Sequence, residues 1–140
     1  MESLHHLHMA NPWPIVVCAV MQWLIGAIWY SPVLFAPAWM AALGITPQPG
    51  MKKGLIGGML SSLIGDLVLC FVLWHFIMWA EATTWATGAF IGFLVWLGFF
   101  AAPNFAQGIY EKRPFKLFAI NNGYWFVCLL ITGVVLAVWR

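Results

Sequence analysis

From Gly54 to Trp79 the chain reads GLIGGMLSSLIGDLVLCFVLWHFIMW, an apolar run interrupted by one acid, Asp66, near its midpoint. A bilayer core takes roughly 20 apolar residues of helix, so this run is long enough to span it. The Asp66 carboxyl then falls near the midplane, the depth at which a charge is most costly. Residues 14–31, 85–102 and 120–139 have the same character and complete a set of four predicted spans. Composition agrees, with 64% hydrophobic and 7% charged residues. Soluble domains carry about 25% charged residues, so this chain lacks the polar surface that water requires. The expected fold is all-α: residues 1–140 form a single four-span transmembrane domain, an integral membrane four-helix bundle.

The connections follow from proline, glycine and charge. Asn11-Pro12 opens the first span, where a proline removes only an N–H that is unpaired anyway. Trp29-Tyr30 closes it with amphipathic rings suited to an interface. Pro32 and Pro37 then break helix continuity. The piece between, VLFAPAWMAALGI, is too short to span again. It reads as an interfacial or re-entrant segment anchored by Trp39. The stretch TPQPGMKK is a loop, and Glu81 to Thr84 a short turn. The third span is expected to stop at Pro103-Asn104, leaving a long polar connection with Glu111, Lys112, Arg113 and Lys116. A faint internal echo pairs Trp23-Leu24 and Pro32 with Trp96-Leu97 and Pro103, each a span ending in a proline break. Lys52 and Lys53 lie in one loop, and Lys112, Arg113 and Lys116 in the other. The positive-inside rule places both basic loops in the cytoplasm and both termini outside. No basic n-region or A-x-A site marks a cleaved signal peptide, and no lipidation box is seen.

Most of what stands out has a packing explanation. Gly54 and Gly58 stand at GxxxG spacing, with Ser61 and Gly65 on the same seam, and Gly88 and Gly92 repeat the spacing in the third span. Such seams let helix backbones approach closely, within a bundle or between protomers. Asp66 is the sharpest chemical signal. Helical spacing puts Ser62 and Cys70 on its face, and Gln22 of the first span lies at a similar depth. Lys53 lies 13 residues earlier, about 20 Å along a helix, so no cation shares that depth. One reading is a midplane site for a proton, a cation or a small solute. The other is a protonated, hydrogen-bonded Asp66 that holds helices together. His75 could ligate haem or a pigment through a ring nitrogen, or simply bond to its neighbours. His5, His6 and His8 form an HHLH head that could make a loose metal site or be a polar tail, since it lacks Cys or acid at ligand spacing. Cys18, Cys70 and Cys128, one per span and without a CxxC, read as small packing residues, and no metal site is expected. No catalytic constellation appears, so the chain is expected not to be an enzyme, and the sequence names no cofactor. A formal net charge of +2 without a basic aromatic patch argues against nucleic acid.

Several residues together resemble a known family. Asn11 and Gly26, with Trp29-Tyr30-Ser31-Pro32, Phe35, Trp39 and Gly44, resemble the opening signature of a bacterial membrane-protein family numbered 1761 among the domains of unknown function. Trp96-Leu97-Gly98-Phe99, Tyr110-Glu111, Arg113-Pro114, Ile120-Asn121 and Gly123-Tyr124 resemble its second half. The resemblance covers nearly the whole chain and implies a small four-span protein with no assigned chemistry. The functional expectation is a non-enzymatic packing or accessory subunit of the bacterial inner membrane. Its partners would be membrane lipid and either itself or other membrane-protein subunits. The alternative is a carrier or channel with its site at Asp66, and a further one is pigment or haem binding at His75.

Overall fold

The computed structural model of the chain describes residues 11–139, apart from the side chains of Lys52 and Lys53. The HHLH head at His5, His6 and His8, and Arg140, lie outside the described residues. In lipid a backbone N–H or C=O has no water to turn to, so apolar segments must satisfy their own hydrogen bonds as helices. The described residues are accordingly helical, with no strand among them. Helix α1 is Trp13–Trp29, α2 Ala36–Leu43 and α3 Leu55–Trp79, after a single 3-10 turn at Met51–Gly54. Helix α4, Trp85–Val95, runs through a π-helical stretch, Trp96–Ala101, into α5, Ala102–Tyr110, and α6 is Phe115–Val138. Three rods are long and apolar enough to cross a membrane: Leu55–Trp79, Trp85–Tyr110 and Phe115–Val138. Helix α1 is equally apolar but has 17 residues, about 25 Å of rise.

Two expected boundaries are corrected. The helix that begins at Trp85 does not stop at Pro103 but continues to Tyr110. A proline inside an α-helix clashes with the carbonyl four residues back. Here the turns just before Pro103 are widened to π geometry, with the Ala102 N–H bonded to the Leu97 carbonyl five residues back. That local widening takes up the ring. The last helix begins at Phe115 rather than at residue 120. The long polar connection therefore shrinks to Glu111–Pro114. Lys112 adopts a left-handed φ of 53°. The Lys112 N–H bonds to the Ile109 carbonyl at 3.2 Å and the Arg113 N–H to the Gly108 carbonyl at 2.9 Å. These two bonds form a Schellman cap, and Pro114 behind it prevents the helix from resuming. Glu81, φ 51°, closes α3 in the same way, with Ala82 N–H to Ile77 carbonyl at 3.1 Å.

Helix α6 is the axis of the bundle: 44% of its apolar window is buried, against 11% for α3. Helix α4 lies against it backbone to backbone. A Cβ at Gly88 would land on the Gly133 carbonyl, and one at Gly92 on the Leu129 carbonyl. Helix α1 joins α6 through aromatic groups. Trp29 Nε1 donates to the Ile120 carbonyl at 3.0 Å, and a Cβ at Gly123 would meet the Trp29 ring at 3.3 Å. Tyr30 donates to Asn121 Oδ1 at 2.7 Å. Helix α3 packs on both α1 and α6, and Trp23 Nε1 donates to the Met59 carbonyl at 3.0 Å. The short α2 folds back onto α6, with Trp39 edge-on to Tyr30 at 5.9 Å and Phe35 against Trp29 at 4.8 Å. The Trp29–Ile120 and Trp23–Met59 bonds fix the polarity of the bundle. The end of α1, the start of α3 and the α5–α6 turn gather at one end, and the turn after α3 sits at the other. The segments that carry Lys52, Lys53, Lys112, Arg113 and Lys116 thus share an end.

Candidate functional site

The middle of the bundle holds a polar group from each of three helices. Asp66 of α3 is 3% exposed, and Gln22 of α1 and Thr132 of α6 are fully buried. Antiparallel packing sets the register: Cys18 of α1 lies within electrostatic reach of Cys70 of α3. One turn further along each helix brings Gln22 opposite Asp66. Gln22 Nε2 donates to Thr132 Oγ1 at 2.8 Å, and the Gln22 carbonyl accepts from the Tyr124 hydroxyl at 2.9 Å. Gln22 Oε1 has no partner and is the one such buried side-chain atom among the described residues. No hydrogen bond or ion pair reaches the Asp66 carboxyl among those residues. Asp66 lies within electrostatic reach of Cys70, Tyr124 and Cys128. The result is a carboxyl without a hydrogen bond and a buried, unsatisfied amide oxygen, in a setting of thiols and apolar side chains. Such groups can receive a small polar guest.

The structure brings Asp66, Gln22 and Cys70 into this core but leaves Ser62 out. Ser62 is exposed, and its hydroxyl turns back onto the Met59 carbonyl at 2.9 Å. Spacing along one helix gives a shared face, but the first turns of α3 stand away from the bundle, so that face has nothing to meet there. Thr132 and Tyr124 complete the site and were not expected in it. Thr132 was readable as the lone hydroxyl in the LLITGVVLAV run. The part of Tyr124 depends on a contact with α1 that no local pattern announces.

The remaining candidates separate. His75 Nδ1 lies 2.8 Å from the Phe71 carbonyl, which can only accept, so Nδ1 bears the proton and Nε2 is bare in the neutral ring. Its ring contacts are Phe71 at 4.5 Å, Trp74 at 4.9 Å and Trp79 at 5.8 Å. No group of three or more His, Cys, Asp or Glu able to hold a metal ion occurs among the described residues. Gly88 and Gly92 are pressed against α6, whereas Gly54, Gly58 and Gly65 have nothing within 4 Å of a built Cβ. Ser61 is exposed between them, its hydroxyl on the Gly58 carbonyl at 2.9 Å. Asn11 caps the first turn, its Oδ1 accepting from the Trp13 N–H at 3.2 Å. Ser31 and Pro32 form the turn after α1, where the Ser31 carbonyl accepts from the Leu34 and Ala36 N–H groups at 3.1 and 3.2 Å. Trp29, Tyr30 and Asn121 meet at the α1–α6 joint.

A family model described as "Protein of unknown function (DUF1761)" matches residues 13–137. No curated protein and no solved structure matches the chain.

The Gln22–Thr132 bond makes a testable demand. Thr132→Val keeps the shape but leaves Gln22 Nε2 unpaired as well as Oε1, and should cost about 1–3 kcal/mol. Adding Gln22→Leu removes both orphans and should recover most of that loss. Reversible unfolding in mixed detergent–dodecyl sulfate micelles measures both, and a double variant no more stable than Thr132→Val would contradict the assignment.

Proposed function

The chain belongs to this family of proteins of unknown function, and we propose that it is a non-enzymatic membrane subunit that packs against a second copy of itself or another membrane protein. The observation that carries this is the outer face of α3. Only 11% of its apolar window is buried within the chain. Gly54, Gly58 and Gly65, with Ser61 between them, line a face with open space where a side chain would stand. Lipid gains little from a groove of small residues, whereas a partner helix gains close backbone contact. Leu60, Ile64 and Val68, all more than half exposed, offer apolar surface beside it. In this reading α1 is the fourth crossing and completes a four-helix bundle. Its ~25 Å of rise is short for a hydrocarbon core of roughly 30 Å, and Trp13 and Trp29 at its ends suit the interfaces. The shared basic end faces the cytoplasm, so both termini lie on the outer side of a bacterial inner membrane.

Native mass spectrometry of the protein released from membranes tests the reading. It should show a dimer or a larger complex, and Gly58→Ile should shift the population to monomer while the circular dichroism spectrum stays helical. A protein that is monomeric in membrane extracts, with no partner retained, would overturn it.

A second reading rests on the Asp66 carboxyl, which has no hydrogen bond, and the unsatisfied Gln22 Oε1 at the centre. Asp66 and Gln22 would form the midplane site of a carrier for a proton, a cation or a small solute. Asp66→Asn keeps the shape and removes the charge. Loss of ion or proton flux in proteoliposomes would support the carrier, and unchanged flux would end it.

A further inference from the structure

At the basic end a cleft of about 310 Å³ opens between α5, the start of α6 and the last residue before the α1–α2 turn, Tyr30. Four carboxamides line it: Asn104 and Gln107 from α5, Asn121 and Asn122 from α6. Spacings of three, four and seven residues place Asn104, Gln107, Gly108 and Glu111 on one face of α5. Asn122 is consumed by the fold: its Oδ1 accepts from Asn104 Nδ2 at 3.2 Å, and its Nδ2 donates to the Phe118 carbonyl at 3.0 Å. The others are half used. Asn121 Oδ1 accepts from Tyr30, and Gln107 Nε2 donates to Glu111 Oε1 at 2.8 Å. Among the described residues, no hydrogen bond takes up Asn121 Nδ2, Asn104 Oδ1 or Gln107 Oε1. The cleft thus presents a free donor on the α6 wall and free acceptors on the α5 wall.

Charge is absent from this offer. The one cation and the one anion in the lining, Arg113 and Glu111, are paired with each other. An anionic head group would meet the Glu111 carboxylate beside that cation. A purely apolar guest would strand the carboxamides, at about 1–3 kcal/mol for each buried group left unpaired. The remaining wall is aromatic, with Phe105, Phe118 and Trp125, which suits a flat ring. Phe105, Ile109 and Phe115 edge the cleft with at least 49% of their surface exposed, so an apolar tail could leave along them into lipid.

We propose that this cleft binds the neutral ring of a membrane-dissolved amphiphile of the quinone–quinol type, whose ring oxygens accept as carbonyls in one form and donate as hydroxyls in the other. A quinone carbonyl accepts from Asn121 Nδ2, and a quinol hydroxyl donates to Asn104 Oδ1 or Gln107 Oε1. This site is separate from the outer face of α3 and does not depend on the subunit reading.

The test uses the full chain in detergent, with decylubiquinone and decylubiquinol as probes and quenching of tryptophan emission as readout. Quenching should saturate, and Trp125→Phe should reduce its amplitude. Asn121→Asp keeps the oxygen that Tyr30 needs and removes the free donor, so it should weaken binding of the quinone at least tenfold. The exposed Gln107→Leu should weaken the quinol several-fold, and it serves if the Asn121→Asp variant does not fold. The same ring without its tail should bind at least tenfold more weakly; equal affinity would overturn a membrane-borne ligand in favour of a water-soluble ring. Quenching that rises without saturation, that is indifferent to Asn121→Asp and Gln107→Leu, or that is displaced by phosphatidylglycerol would overturn the site itself.

Discussion

Helix α6 can serve as the axis of this bundle only because three glycines let α4 lie directly on it. Gly88 and Gly92 on one side and Gly133 on the other leave no room for a single methyl group between the two backbones. In a bilayer the lipid tails are as apolar as leucine, so burial gives little net attraction between helices. Close van der Waals contact along a long crossing is what remains, and glycine makes that crossing tight. With α4 fixed on one side of α6, its other faces are left for α1, α2 and α3, and α3 packs on α1 as well. Removing the glycine crossing would leave an array of rods with no common axis.

The bundle concentrates its polarity in two places that differ in kind. At the centre, Gln22 and Thr132 satisfy each other across α1 and α6, while Asp66 and Gln22 Oε1 stay unpaired. An interhelical hydrogen bond in a membrane contributes roughly 1 kcal/mol, so it ties α1 to α6 without dominating the assembly. At the basic end the carboxamides and the Trp29–Ile120 and Tyr30–Asn121 bonds lock the start of α6 to the end of α1. The first arrangement is buried and nearly closed. The second opens outward, where ligand and solvent can reach it.

Much of the fold was legible because the membrane restricts the choices. The run from Gly54 to Trp79 announced a helix by length alone, and α3, Leu55–Trp79, follows it almost to the residue. The helix that starts at Trp85 is capped by Thr84, whose hydroxyl accepts from the Thr87 N–H at 3.2 Å. The proline signals were less uniform than the sequence echo suggested. Pro32 stands in a true break, while Pro103 sits within a continuous rod because the turns before it widened. No residue-by-residue rule distinguishes these two outcomes, since the second depends on what the whole helix packs against. The same limit applies to the glycines. Gly54-Gly58 and Gly88-Gly92 have the same spacing, yet only the second pair meets a neighbour within the chain. Asp66 and Gln22 were singled out from depth alone, whereas the part of Thr132 and Tyr124 depends on the register of α6 against α1, which is a tertiary fact.

The most direct measurement is therefore on the crossing itself. Gly92→Val would drive its side chain into the Leu129 carbonyl, and overpacking of this kind costs about 1–3 kcal/mol or more. Gly57→Val, on the open face of α3, meets nothing. Unfolding of the two variants in the same micelles should show Gly92→Val severely destabilised or unfolded and Gly57→Val close to the parent. Equal stability of the two would mean that α4 does not rest on α6, and the arrangement described above would not hold.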